Sequence, residues 1–171
     1  DGLEEELALF QPKIQEDPIT FYDHVLGCTH WSMQDEITRS VFKNQKTTVR
    51  SCHGIGKSYT AARIGLAFLY AFKDSIVVTT APTFRQVQNV VWREWRGAVA
   101  KSKIPLGKVP LKVSHEISEN WFALGFSANK ADNFQGLHAA SGHMLVIVDE
   151  AAGASAETMI AIDALLTGKH V

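Results

Sequence analysis

The chain lacks the features that mark membrane and secreted proteins. Its 171 residues contain no apolar run close to the ~20 residues that a membrane-spanning helix requires. The first residues include Glu4, Glu5 and Glu6, whereas a secretory signal would be basic in that region. We therefore expect a cytoplasmic protein with no membrane partner.

Cysteine is scarce and histidine is scattered. The two cysteines, Cys28 and Cys52, stand alone, and the seven histidines show no metal-binding spacing. This pattern argues against a disulfide framework and favours a reducing compartment. The net charge of −1 excludes a generic binder of polyanions.

What remains is an ordinary globular composition with alternating elements. With 46% hydrophobic and 20% charged residues, the chain is long enough for one domain with a sizeable core. Strand-like runs alternate with apolar-striped helical segments, which predicts an α/β fold with a mainly parallel sheet and helices on both faces. The predicted helices span residues 3–14, 19–26, 35–43, 59–72, 84–100 and 156–166, and the predicted strands span 47–51, 75–80, 111–117, 120–125 and 144–148.

A turn of small residues, Ser51-Cys-His-Gly-Ile-Gly-Lys57-Ser58, lies between a predicted strand and a predicted helix. Backbone N–H groups in such a turn can face an anion, and the following helix N-terminus adds its dipole. Lys57 can reach the β- and γ-phosphates, and the Ser58 hydroxyl can bind Mg²⁺. The turn predicts a nucleotide phosphate site, although Ser51 replaces the Gly of the strict motif. The alternative is a loop that merely connects two elements.

A second motif follows the apolar run Met144-Leu-Val-Ile-Val148, which suits a strand buried on both faces in the middle of a parallel sheet. Asp149 and Glu150 come directly after it, at the sheet edge where ligands of α/β proteins bind. Asp149 would hold Mg²⁺, and Glu150 would activate or position the attacking water. A core strand followed by a solvated acidic turn is the alternative, which the presence of the phosphate motif disfavours.

Four stretches of the chain follow a recognisable order. They are Trp31–Gln34, Arg50–Ser58, Thr79–Gln86, and the pair Asn133–Ala139 and Val146–Ala151. This order resembles the N-terminal ATPase domain of the large terminase subunit of tailed bacteriophages. The resemblance covers the chain from about Trp31 to its end.

The resemblance implies a P-loop NTPase fold of the RecA/ASCE type over residues 31–171, after a helical lead-in over residues 1–30. It implies an ATPase that uses ATP and Mg²⁺ to move double-stranded DNA into a procapsid, in the host cytoplasm. The implied partners are DNA, a portal protein, a small terminase subunit and further copies of the chain in a ring. A coupling motif and a nuclease domain are expected after residue 171 in the full-length protein.

The motifs and the resemblance together nominate site residues. Catalytic roles fall to Glu150 and Lys57, and Mg²⁺ binding falls to Ser58 and Asp149. In the resemblance, Gln34 reads the adenine edge, with Trp31 nearby. The predicted nucleotide-binding residues are Gln34, Ser51, Cys52, His53, Gly54, Ile55, Gly56, Lys57, Ser58 and Tyr59.

One expected group has no assigned residue. Many relatives place an arginine in the phosphate loop or just before the Gly that matches Gly136, but here these positions hold His53 and Gln135. The arginines left open as candidates are Arg50, Arg63, Arg85, Arg93 and Arg96. Two other functions also stay open, a helicase-like DNA translocase and a non-hydrolysing ATP-binding assembly module.

Overall fold

A computed structural model describes residues 2–52, 54–129, 134 and 136–167, without the side chains of Leu3 and Thr167. Four strands form one sheet in the order β2-β3-β1-β4. β1 is parallel to both β3 and β4, and β2 is antiparallel to β3. The predicted α/β fold with a mainly parallel sheet is therefore confirmed. The strands are β1 (Ile76–Ala81), β2 (Ser114–Ser118), β3 (Trp121–Ser127) and β4 (Met144–Val148).

The helices lie close to their predicted positions. They are α1 (Gly2–Glu16), α2 (Ser32–Lys43), α3 (Lys57–Ala71), α4 (Phe84–Gln86), α5 (Trp92–Ala100) and α6 (Ala156–Thr167). The predicted helix 19–26 is a π-helical turn, Phe21–Leu26, and a second π-helical turn, Val87–Val91, joins α4 to α5. None of the helices in the described ranges has both the length and the apolar character that crossing a bilayer requires.

Helices cover both faces of the sheet. Successive side chains of β1 point to alternate faces, and the apolar ones on each face pack in their own apolar cluster with residues of these helices. Val77 packs with residues of α3 and α5, such as Leu66 and Trp92. Val78 packs in the opposite cluster with Ile162 of α6. This alternation is the period-2 pattern of a strand buried on both sides.

The segment from α4 to α5 is fixed to the sheet by two tryptophans. Thr83 begins it as an N-cap, since its hydroxyl accepts from the Gln86 backbone N–H at 3.3 Å. Trp92 Nε1 donates to Thr79 Oγ1 at 2.8 Å, and Trp95 Nε1 donates to His115 Nδ1 at 3.0 Å. Both rings are fully buried, so this helix has little freedom to roll over the sheet.

The predicted strand 47–51 is wrong. These residues adopt no regular secondary structure, and Val49 is 41% exposed. The segment lies between two helices, with Thr47 Oγ1 3.0 Å from Ser40 Oγ and Lys46 paired to Asp163 at 2.8 Å. A β-prone sequence forms a strand only where a partner strand pairs with it, and local propensity does not supply that partner.

β4 packs on both faces, as predicted, but it does not lie in the middle of the described sheet. β4 is an edge strand of the described sheet, and all five of its residues are only half-buried. Its apolar character comes from packing against α6 on one face and the α3 side on the other, through residues such as Val146 and Ile147. The continuous apolar run therefore indicated that both faces of β4 pack against helices. It did not indicate that a strand pairs with β4 on each side.

The N-terminal helix shares the main core. Leu7 and Ile14 of α1 lie in the same buried cluster as Leu66 of α3, and Gln15 Nε2 donates to the Ala71 carbonyl at 2.6 Å. The division into a lead-in over residues 1–30 and a domain over residues 31–171 stays a prediction.

Candidate functional site

A cleft of about 480 Å³ opens where the N-terminus of α3, the end of β4 and the α4–α5 segment meet. Its volume falls in the range of small-molecule sites. Both sequence motifs contribute to it, together with one face of the α4–α5 segment. The lining residues are Gly54, Gly56, Lys57, Ser58, Tyr59, Gln86, Asn89, Val90, Arg93, Glu94, Asp149 and Glu150.

The loop before α3 has the backbone that an anion site needs. Gly54 and Gly56 both have φ of +82°, in the left-handed region that residues with a Cβ rarely adopt. Such turns bring successive N–H groups onto one side of the backbone. α3 begins at Lys57 and runs for 15 residues, so its N-terminal dipole faces the same place. The local sequence thus provides both backbone donors and a helix dipole.

Two side chains of this loop retain unused hydrogen-bonding capacity. The Ser51 hydroxyl is buried and has no hydrogen-bond partner among the residues that the structure describes. Within the described part of the chain, the Lys57 ammonium donates one long hydrogen bond, 3.4 Å to the Ser51 carbonyl oxygen. A buried group without a partner costs free energy unless a ligand or water satisfies it. Lys57 lines the cleft and therefore fits an anionic ligand with several oxygen atoms, such as a polyphosphate, whereas Ser51 does not line it.

The acidic pair is fixed to the sheet. The Asp149 backbone N–H donates to the Thr80 carbonyl at 2.9 Å, and Asp149 Oδ1 accepts from the Glu150 N–H at 3.1 Å. Burial raises the pKa of the Asp149 carboxyl above its usual value, and the Lys57 ammonium partly offsets that rise. A nearby cation or metal ion would thus favour the charged form of Asp149.

Glu150 has an unusual backbone conformation. Its φ of 51° and ψ of 48° place it in the left-handed region, which costs a residue with a side chain on the order of 1 kcal/mol. Strained backbone of this kind is frequent at functional sites. The Glu150 side chain is exposed and lines the cleft beside Lys57.

Gln34 lies beside the loop that precedes α3 but outside the cleft. It is only 8% exposed and lines a smaller adjoining pocket with Tyr59. Its Oε1 accepts from the Trp31 N–H at 3.1 Å, which caps α2. A Cβ added to Gly56 would lie 3.4 Å from Gln34 Nε2, so the amide donor faces the loop. The side chain therefore combines a helix cap with a donor beside the predicted nucleotide site.

Tyr59 and Arg63, in the first turns of α3, connect this helix to α5. The Tyr59 hydroxyl donates to the Thr29 carbonyl at 2.7 Å, and the Arg63 guanidinium lies 3.2 Å from the centre of the Tyr59 ring. Arg63 Nη1 also donates to the Tyr59 carbonyl at 3.0 Å and to Glu94 Oε2 at 3.3 Å. These contacts fasten the first turns of α3 to the helix on the far side of the cleft.

The other residues nominated from the sequence lie elsewhere. Cys52 is exposed with a free thiol and Ile55 is half-buried, and neither lines the cleft. His53 and Gln135 lie outside the described residues.

The third wall of the cleft was not predicted from the sequence, which left only Arg93 of this wall open as a candidate. Four cleft-lining residues of the α4–α5 segment recur at helical spacing: Gln86, Asn89, Val90 and Arg93. They lie on the side opposite the buried residues Val87, Val91 and Trp95. The apolar stripe predicts the helix, and the polar residues on its opposite side are the signal that identifies this wall.

A metal site made only of protein side chains is absent from the part of the chain that the structure describes. No group of three His, Cys, Asp or Glu residues comes together there. Mg²⁺ at nucleotide sites needs few protein ligands because phosphates and water provide the rest. Ser58 and Asp149 line the same cleft and fit that arrangement.

Comparison with known proteins supports one family. No family model matches the chain, and no solved structure matches it. The chain is 31% identical over 164 residues to a probable terminase large subunit of Enterobacteria phage P7. The match covers 90% of this chain but spans only 33% of that relative. This similarity supports the resemblance to large terminase subunits over most of the chain.

Proposed function

We propose that this chain forms the ATP-hydrolysing motor domain of a large terminase subunit, with a P-loop NTPase fold of the RecA/ASCE type. One observation carries the proposal. The loop around Gly54, Gly56 and Lys57 and the strand-end acids Asp149 and Glu150 are distant in the chain, yet they line one cleft. A loop that binds phosphate opposite a carboxylate pair is the arrangement that nucleotide hydrolysis requires.

ATP is the proposed substrate, with its phosphates at the loop before α3. The N–H groups around Gly54 and Gly56 would hold the phosphate oxygens, and Lys57 would exchange its long bond to Ser51 for a shorter, charge-assisted one. The base would lie towards Tyr59 and Gln34, where the smaller pocket adjoins the cleft.

Mg²⁺, when bound with ATP, would neutralise charge on the phosphates, and Ser58 and Asp149 would hold it. Glu150 would orient the attacking water and accept its proton. Because Asp149 is tied to the sheet through Thr80, the acidic pair keeps its position while the substrate enters. The reaction would release ADP and inorganic phosphate.

The proposed work of the hydrolysis cycle is the movement of double-stranded DNA into a procapsid. The chain spans a third of the relative that it matches, so DNA, portal protein, small subunit and ring assembly are proposed partners of the complete gene product. The reason to propose packaging rather than another ATP-driven process is the similarity to a terminase large subunit, which accompanies the arrangement of the cleft.

Lys57→Ala in the complete gene product tests the proposal. The substitution removes the ammonium from the cleft, so we expect ATP binding to weaken by at least tenfold and hydrolysis to be lost. Binding is measured with a fluorescent ATP analogue and hydrolysis by phosphate release. Lys43→Ala is the matched control, because Lys43 is exposed at the end of α2.

Unchanged ATP binding and hydrolysis in Lys57→Ala would refute the proposed site. A wild-type protein that binds ATP without turnover, even with DNA and portal present, would indicate the non-hydrolysing assembly module instead. Hydrolysis that unwinds DNA but never fills procapsids would favour a helicase-like translocase.

A further inference from the structure

The arginines of the chain differ sharply in what surrounds them. Arg63 is only 7% exposed and bonds to Tyr59 and Glu94, and Arg96 Nη2 donates to the Gln88 carbonyl at 3.1 Å. Arg50 and Arg85 are exposed and do not line the cleft. Arg93 is exposed and lines the cleft with Lys57 and Glu150.

The position of Arg93 is set by its neighbours. Trp92 precedes it and Trp95 follows two residues later, and both indoles are fully buried and hydrogen-bonded. A roll of α5 that turned Arg93 away would have to pull these rings out of the core. Glu94 adds a second fixed point, because its ion pair with Arg63 ties this turn to α3. Arg93 is therefore held on the cleft side of the helix.

The charges of the cleft leave Arg93 available for a ligand. The cationic residues that line it are Lys57 and Arg93, and the acidic ones are Glu94, Asp149 and Glu150. Glu94 already forms an ion pair with Arg63. Arg93 forms no hydrogen bond or ion pair in the described part of the chain. A guanidinium that is exposed into a cleft without a carboxylate partner suits an anion of the substrate.

We propose that Arg93 is a catalytic residue, acting within its own chain, that contacts the terminal phosphate oxygens of ATP. This inference rests on the proposed ATPase function. In the reaction, the oxygen of water bonds to the γ-phosphorus while the bond to the β–γ bridging oxygen breaks, and ADP leaves with that electron pair. Glu150 takes the proton of the water. Arg93 stays protonated and stabilises the charge that spreads over the phosphoryl oxygens.

Arg93→Ala in the complete gene product tests this role. We expect kcat for ATP hydrolysis to fall about 10³-fold, and the Kd for a non-hydrolysable ATP analogue to rise less than tenfold. Arg93→Lys should recover only part of the rate, because an ammonium cannot make two parallel hydrogen bonds. Arg85→Ala is the matched control, an exposed arginine one helical segment earlier and outside the cleft. The melting temperature of each variant should match wild type.

Mixing two inactive variants tests whether Arg93 acts within its own chain. A site in which Arg93 and Glu150 come from one chain cannot be restored by combining Arg93→Ala with Glu150→Gln, so the mixture should stay inactive. Recovery of hydrolysis in the mixture would overturn the inference, because Arg93 would then complete the site of a neighbouring subunit.

The outcomes separate this inference from the proposed function. If Lys57→Ala abolishes hydrolysis while Arg93→Ala hydrolyses at the wild-type rate, the role of Arg93 is refuted and the ATPase function stands. If Lys57→Ala leaves ATP binding and hydrolysis unchanged, the proposed function fails and the role of Arg93 fails with it.

Discussion

The two sides of the cleft are built in different ways. On one side, Asp149 and Glu150 follow a strand, and Arg93 lies on a helix that two buried tryptophans fix to the sheet. On the other side, residues 51, 52 and 54–56 lie outside helices and strands, and the neighbouring Lys57 donates one long hydrogen bond, to the Ser51 carbonyl. We call these sides the sheet wall and the loop wall.

The difference separates two tasks. Groups that must meet a reacting phosphoryl group need a fixed position, because a small displacement costs much of the rate. Groups that surround the substrate phosphates can gain their order from the ligand, whose oxygens satisfy donors such as the Lys57 ammonium. The sheet wall is therefore suited to chemistry and the loop wall to substrate capture.

The largest expected effect comes from Glu150 on the sheet wall. Glu150→Gln keeps the shape of the side chain but removes its ability to accept a proton from water. We expect turnover to fall about 10³-fold, and ATP affinity to stay within a few-fold of wild type. Phosphate release and equilibrium binding of an ATP analogue measure the two effects.

Glu157→Gln is the control for this variant, because Glu157 is an exposed acid in the first turn of α6. Normal hydrolysis in Glu150→Gln would contradict its role with water. Loss of ATP binding would instead assign Glu150 to the metal or to folding.

The second effect is a pH dependence of the sheet wall. Burial lowers the pKa of His115 to about 4, and Trp95 donates to its Nδ1, so the folded state holds the neutral ring. The unfolded chain takes up this proton near pH 6.5, before the folded state does. Stability should therefore fall as pH drops from 6.5 to 4, by about 3 kcal/mol in total.

Urea unfolding of wild type and His115→Gln between pH 7 and pH 4.5 measures this effect as the difference between the two slopes. His30 does not affect the comparison, because wild type and His115→Gln both contain it. Burial alone would lower the pKa of His30, but Asp23 and Asp35 hydrogen-bond to its two ring nitrogens and raise it overall. Equal slopes for the two proteins would show that His115 titrates normally.

The third effect tests the packing of the sheet wall. A Cβ added at Gly125 would lie 2.4 Å from Trp92 Nε1 and 2.8 Å from Thr79 Oγ1, between a donor and its acceptor. We expect Gly125→Ala to reduce the free energy of unfolding by about 2–3 kcal/mol, through overpacking and a broken hydrogen bond. Urea unfolding monitored by tryptophan fluorescence measures it.

Gly97→Ala is the matched control on the same wall. Gly97 is inside α5, and apart from the backbone of its own helix no described atom lies within 4 Å of its added Cβ. Alanine there should stabilise the protein by about 0.5–1 kcal/mol, since it favours the helix. If Gly125→Ala were as stable as wild type, the sheet wall would be able to repack around an added methyl group. The proposed contrast between a fixed sheet wall and a loosely held loop wall would then be wrong.

The sequence predicted the two walls unequally. Local signals predicted the helix over residues 84–100, namely the N-cap Thr83 and the apolar stripe that follows it. The apolar run Met144–Val148 predicted the strand β4 in the same way. The absence of a strand over residues 47–51 and the edge position of β4 depend on which segments pair across the sheet, and a single sequence does not encode that directly. Arg93 was one open candidate of five, because only the fold shows which helix face borders the cleft.

The smallest expected effect belongs to Gln34, beside the loop wall. Its Oε1 caps α2 through the Trp31 N–H, while its Nε2 donor faces Gly56. If that donor reads the edge of adenine, Gln34→Ala should weaken ATP binding by about 1 kcal/mol, or roughly fivefold, and weaken inorganic triphosphate less. Gln34→Glu keeps the acceptor for the cap but removes the donor. Its added charge repels both ligands, so the ratio of the two affinities is the readout. The ratio should shift against ATP in both variants, and an unchanged ratio would assign Gln34 to capping alone.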